Sequence, residues 1–223
     1  MLTLTKRILR AWRSYGYEQA FVIGPQGSGK TTYAMLVAYE VYSHLKQWLK
    51  QKGFKDPWDA VLHYITFDPR ELMDELHSAL ERGYRIPLIV FDDAGVHLSK
   101  YLIQQGGESY RLVMWLNALF NLIRTICAAT IFTSPDMDVL KELRKKSWVV
   151  VEIMKSSKGP RYREAVVYTK RISASGKVYV SRKAVDIYSL DLVPQEVRAR
   201  YEEKRRNAMK PVLEELKQML LAT

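Results

Sequence analysis

The stretch Gly24, Pro25, Gln26, Gly27, Ser28, Gly29, Lys30, Thr31 and Thr32 has the residue types and spacing that cradle a phosphate, with G-x-x-x-x-G-K-[ST] running from Gly24 to Thr31. Glycines let successive backbone N–H groups turn inward, and a helix opening at Lys30 adds the positive end of its dipole. Lys30 is placed to reach the β- and γ-phosphates, and Thr31 offers a hydroxyl to magnesium. ATP with Mg2+ is therefore the expected cofactor. A dinucleotide fingerprint is excluded, because Gly24, Gly27 and Gly29 do not form G-x-G-x-x-G.

A second group of chemical residues lies 62 positions after Lys30, where the apolar run Leu88, Ile89, Val90 and Phe91 ends in the carboxylate pair Asp92 and Asp93. In a phosphate-transfer site the first carboxylate holds magnesium through water, the role expected of Asp92. Asp93 then either activates the attacking water as a base or joins the second magnesium shell. The residues from Asp92 to Gly95 also fit the D-x-x-G pattern of GTPases, but no N-K-x-D guanine-reading motif exists in the chain, which argues against GTP.

The elements that must position these residues follow from periodicity. Residues 4–14 read as a basic amphipathic helix, 19–23 as a strand, and 33–52 as one helix. Residues 53–59 read as a linker, 61–67 as a second strand, and 69–82 as a helix with Asp68 as N-cap and Pro69 first. A third strand at 88–91 precedes a loop or broken helix over 97–109 and an apolar helix over 110–124. A fourth strand at 127–132 ends in Thr133 and Ser134, followed by a helix at 136–146 and a fifth strand at 148–153. Such alternation predicts a parallel sheet covered on both faces. Beyond it, 164–170 and 178–180 read as a basic β-hairpin, and 194–221 as a helix that Pro211 should break or kink. The division drawn is a core over 1–153 and an appendage over 154–223.

With this motif order the chain resembles the additional-strand division of P-loop ATPases, RecA/FtsK/AAA+-like. The resemblance covers residues 21–153 and implies an α/β fold, three-layer α/β/α, with a mainly parallel RecA/FtsK-like sheet. It also implies that the fourth strand lies between the phosphate-loop strand and the Asp92 strand, presenting Thr133 or Ser134 to the γ-phosphate. The FtsK–HerA branch of DNA pumps, which includes viral genome-packaging ATPases, is similar in its compact core. Its tail ends in a proline-aromatic helix, as Pro194 and Tyr201 suggest here, although its usual sensor is glutamine. The AAA+ branch more often has Thr or Ser as sensor and an arginine finger where Arg144 stands, but the tail here does not read as a helical lid. Both branches work as rings in which one subunit's arginine completes the neighbour's site. Arg144 is the first candidate for that role, then Arg124 and Arg111, each of which is otherwise a surface or helix-terminal arginine.

The charge is placed unevenly. Residues 1–140 carry net +1 and residues 141–223 net +10, and the span 154–183 holds nine basic residues against Glu164 alone. Positive charge gathered on one segment is the footprint of a polyanion partner, DNA first, with a solvated hairpin or an acidic protein surface as the alternatives. Tyr168 and Tyr179 on the hairpin suit either base stacking or cross-strand packing. The loop over 100–107 is a candidate for coupling hydrolysis to a pore. Cys127, Met114, Trp115, Leu116 and Leu119 read as core. One cysteine and four scattered histidines argue against a structural metal, and no apolar run reaches the roughly 20 residues of a membrane span, so a cytoplasmic location is expected.

The expectation from sequence is a Mg-ATP-hydrolysing, DNA-associated motor acting as a homo-oligomeric ring, such as a genome-packaging ATPase with a capsid or other protein partner. A DNA-bound AAA+ switch, such as a helicase loader or transposition regulator, is the second reading, and a small-molecule kinase the third.

Overall fold

The computed structural model describes residues 1–93, 118, 122–135 and 148–221. Helix α1 (Thr3–Arg13) leads into β1 (Glu18–Ile23) and then α2 (Lys30–His44). Next come α3 (Lys46–Gln51), α4 (Pro57–Tyr64), β2 (Ile65–Thr66), a 3-10 turn (Pro69–Leu72) and α5 (Met73–Arg82). Strands β3 (Ile89–Phe91), β4 (Ala129–Ser134), β5 (Val149–Lys155), β6 (Tyr162–Ile172) and β7 (Val178–Ser189) follow, and a short 3-10 turn (Leu190–Leu192) precedes α6 (Gln195–Leu221).

These strands form one seven-stranded sheet ordered β2-β3-β4-β1-β5-β6-β7. The first five are parallel and the last two antiparallel, so the sheet is mainly parallel and the fold is α/β. Strand β4 stands between β1 and β3, the order of the additional-strand P-loop fold. The basic hairpin continues the sheet without a break across position 153. Among the described residues no helix is long and apolar enough to cross a membrane.

An aromatic ladder locks the register of the three strands that carry the chemistry. Phe21 on β1 and Phe91 on β3 both face Phe132 on β4, with ring centroids 5.1 Å apart on each side. Such pairs add roughly 0.5–1.5 kcal/mol beyond the area they bury. A one-residue slip of any of these strands would turn its ring to the opposite face, so the register is strongly specified. Strands β1 and β4 end paired, Ile23 with Ser134, and β3 ends two residues earlier at the Phe91–Phe132 pair, so the residues after β3 come beside Thr133 and Ser134. Cys127 is fully buried before the start of β4, bridged to Ile86, and burial pushes its thiol up to about 12.

Several elements differ from the sequence expectation. Residues 57–64 are helical rather than linker and strand, because Asp56 accepts the Trp58 N–H at 2.6 Å and Pro57 opens the helix. That cap outweighs the short apolar run, and only Ile65 and Thr66 remain as β2. The expected helix over 33–52 is two helices, α2 and α3, separated at Leu45, which leaves the helical region. The helix over 69–82 starts as a 3-10 turn, and its α-helical part begins only at Met73, with Leu72 at the N-cap position. The hairpin strands run to 11 and 12 residues, longer than expected. Pro211 sits inside α6 without ending it. A proline removes a single N–H from the ladder, and here it lies on an exposed stretch where the freed carbonyl is open to solvent.

Candidate functional site

The loop between β1 and α2 is built by backbone conformations that side chains resist. Gly24, Gly27 and Gly29 have φ of 149°, 70° and 99°. At Gly24 a Cβ would also lie 2.8 Å from the Ile153 carbonyl of β5, so loop and strand touch backbone to backbone. Lys30 opens α2 and turns back over the loop, its Nζ donating to the carbonyls of Gly24 at 2.8 Å and Pro25 at 2.9 Å. Burial lowers the pKa of this ammonium, while the charges of Asp93 and Asp92 act to raise it.

Asp92 follows β3 and is wholly buried. Its carboxylate accepts the Thr31 hydroxyl, at 3.1 Å to each oxygen, together with the hydroxyls of Thr133 and Tyr201. Burial raises its pKa, and the hydrogen bonds from Thr133, Tyr201 and Thr31 partly offset that rise. Thr133 also receives the backbone N–H of Asp93 at 3.0 Å, so one hydroxyl ties the end of β4 to both carboxylate residues. Asp93 has φ of 50°, unusual for a residue with a side chain. Its Oδ2 accepts from Arg205 Nη2 at 2.9 Å. Ser134 is buried at the end of β4, opposite Ile23 in register.

A cleft of about 420 Å3 opens over these groups, lined by Gln26, Lys30, Thr31, Thr32, Asp93 and Arg198 among others. Thr31 and Asp92 are the hard oxygen donors that could hold magnesium. Gly24 to Thr32, with the start of α2, could hold a polyphosphate. Three buried polar atoms around the loop have no partner among the described residues: Ser28 Oγ, Arg198 Nη2 and Arg205 Nε. A polyphosphate fits such a set of groups.

The fold thus brings Lys30, Thr31, Asp92, Asp93 and Thr133 to one place. Arg144, Arg111 and the loop over 100–107 lie outside the described residues, and Arg124 is exposed. Sequence reasoning missed the contribution of the tail. Tyr201 and Arg205 reach the carboxylates from α6, and Arg198 lines the same cleft. Their spacing at i, i+3 and i+7 puts them on one helix face, which was the available signal. It was hidden among the other charges of residues 198–206.

Arg163 corrects the reading of the hairpin as a uniform basic surface. It is buried, and its Nε donates to the Ser28 carbonyl at 2.9 Å while Nη1 donates to Pro160 and Tyr162. Tyr188 on β7 donates to the Gly29 carbonyl at 2.9 Å. The hairpin base is therefore a brace for the phosphate loop.

The chain is 31% identical over 228 residues to the uncharacterized protein B-251 of Sulfolobus spindle-shape virus 1, covering 98% of this chain and 86% of that protein. It is 30% identical over 138 residues to the uncharacterized protein ORF286 of Acidianus two-tailed virus, covering 61% of this chain and 42% of that one. No protein-family model matches. Among solved structures, similarity extends to the N-terminal domain of zonular occludens toxin from Neisseria meningitidis, at 15% identity and TM-score 0.38, covering 76% of this chain and 95% of that one. It extends also to the KaiC-like protein PH0186 from Pyrococcus horikoshii OT3, at 13% identity and TM-score 0.36, covering 74% of this chain and 92% of that one.

Proposed function

The chain belongs to the same family as protein B-251 of Sulfolobus spindle-shape virus 1, and we propose that it is a Mg-ATP-hydrolysing, DNA-associated motor, a ring-forming ATPase for moving or packaging viral DNA. The observation that carries this reading is the meeting of Lys30, Thr31, Asp92 and Thr133 at the ends of adjacent parallel strands, beneath a cleft whose arginines have nitrogens without partners among the described residues. Magnesium and the triphosphate, when bound, supply a polarised phosphorus open to attack by water. Lys30 would leave its two loop carbonyls for the phosphates. Thr31 and Asp92 would hold the metal. Asp93 would take the proton of the attacking water.

The distal hairpin supports the DNA part of the reading. Arg171 stands opposite Tyr179 and Arg182 opposite Tyr168, so each face pairs a cation with an aromatic ring. Ile172, Val178, Tyr179 and Val180 are more than half exposed. Charge for phosphates beside rings for bases is how single strands are held without sequence preference. The viral source of both relatives fits a role on viral DNA.

Steady-state ATP hydrolysis with and without duplex and single-stranded DNA, at low and physiological salt, tests the proposal. Stimulation by DNA that fades with salt is the expected result. Turnover indifferent to DNA would overturn the DNA role, and no turnover at all would overturn the ATPase.

A further inference from the structure

Both guanidinium groups that line the cleft come from the chain's own last helix. Arg198 and Arg205 lie seven residues apart on α6 with Tyr201 between them, and burial of Tyr201 against Asp92 and Phe67 holds that face over the ends of β1 and β3. Arg198 spends its Nε on the Val193 carbonyl at 3.1 Å, and Arg205 spends its Nη2 on Asp93. That leaves Arg198 Nη2 and Arg205 Nε buried and without partners among the described residues. A buried donor left unsatisfied destabilises the fold. Both arginines line the same cleft as Lys30, Thr31 and the glycine loop, the place a polyphosphate would take.

We propose that Arg198 and Arg205 are phosphate-contacting residues acting within their own subunit, and that Arg205 exchanges Asp93 for the terminal phosphate when ATP binds. The inference rests on the nucleotide reading above. The exchange links two events. A cation arrives beside the charge of the terminal phosphate, and Asp93 loses the ion pair that occupies its Oδ2, becoming a free base only when ATP is present. The carboxylate is thus held idle in the nucleotide-free protein.

Equilibrium binding of a fluorescent, non-hydrolysable ATP analogue and of fluorescent ADP, both with magnesium, tests this in the full chain. Arg205→Ala should weaken the ATP analogue at least about tenfold, the loss expected for one charge-assisted hydrogen bond, and ADP less than about twofold. Asp93→Asn should tighten the ATP analogue, and the gain should vanish in the double variant with Arg205→Ala. Equal losses for both nucleotides, or none, would overturn the proposal. If Arg205→Ala does not fold, the same ratio is read in Arg205→Gln. Mixing Arg205→Ala with Lys30→Ala protein should restore no turnover, and recovery would show the arginine acting on a neighbouring subunit instead. A wild-type protein that binds neither nucleotide would sink the underlying nucleotide reading, a result distinct from these.

Discussion

Strand β4 buries all six of its residues, whereas β7, with twelve, buries only Tyr188. The contrast runs through the molecule. In the parallel half, strands covered on both faces hold the phosphate loop, Asp92 and Thr133 together by packing, with the Thr31 and Thr133 hydroxyls fixed on Asp92. In the antiparallel half, the strands are half-exposed and work through a few directed contacts at their base: Arg163 on the Ser28 carbonyl, Tyr188 on the Gly29 carbonyl, and Asp186, which accepts from Thr3 and Tyr33. One half places the chemistry by burial, and the other braces and covers it by hydrogen bonds.

The two halves should break differently. Lys30→Ala should lower ATP turnover by at least about a hundredfold, far beyond what the loss of its two bonds to the Gly24 and Pro25 carbonyls takes from the melting temperature; a turnover assay beside a thermal melt reads both. Arg163→Ala should cost about 2 kcal/mol in denaturant unfolding, because it strips a buried group from three carbonyls. It should also weaken nucleotide binding through the loop it braces. Arg161→Ala is the control two residues away: its pair with Asp191 is largely exposed and should be worth less than about 1 kcal/mol. Replacing Lys170, Arg171, Lys177 and Arg182 with Ala should flatten the salt dependence of DNA binding by about one slope unit per lost phosphate contact, with DNA-free turnover unchanged. An unchanged slope would place DNA elsewhere.

The smallest effect concerns Glu75, beneath the parallel half. Burial would raise its carboxyl pKa, but hydrogen bonds from Tyr64 at 2.6 Å and Tyr84 at 2.9 Å, with Lys52 at 3.6 Å, outweigh burial and hold it below the usual range. A lowered folded pKa means that its stabilisation is present above the ordinary value of about 4.3 and is lost as pH falls through the folded one. Unfolding between pH 5 and pH 3 should therefore be steeper in pH for the wild type than for Glu75→Gln.

The phosphate loop, the carboxylate pair and the polar end of β4 were legible because each is local: glycines, a lysine and an apolar run at short spacing dictate a turn, a helix start and a buried strand wherever the chain goes. Helix α4 was legible too, in Asp56 and Pro57, but the apolar residues after them have no period that separates helix from strand over so short a run. The strand order itself is visible only through resemblance, since pairing β4 between β1 and β3 is a non-local choice. What local pattern could not decide was the use of the tail. Arg163 and Arg171 have the same side chain on the same strand, yet one is sealed under the phosphate loop and the other faces solvent. Arg205 is one of many charges in α6 until the helix lies across Asp93, 112 residues away. Sequence alone determined the phosphate-loop motif and where it lies in the chain. Tertiary structure decided which cations stand over it, because burial and partnership are properties of where distant segments meet.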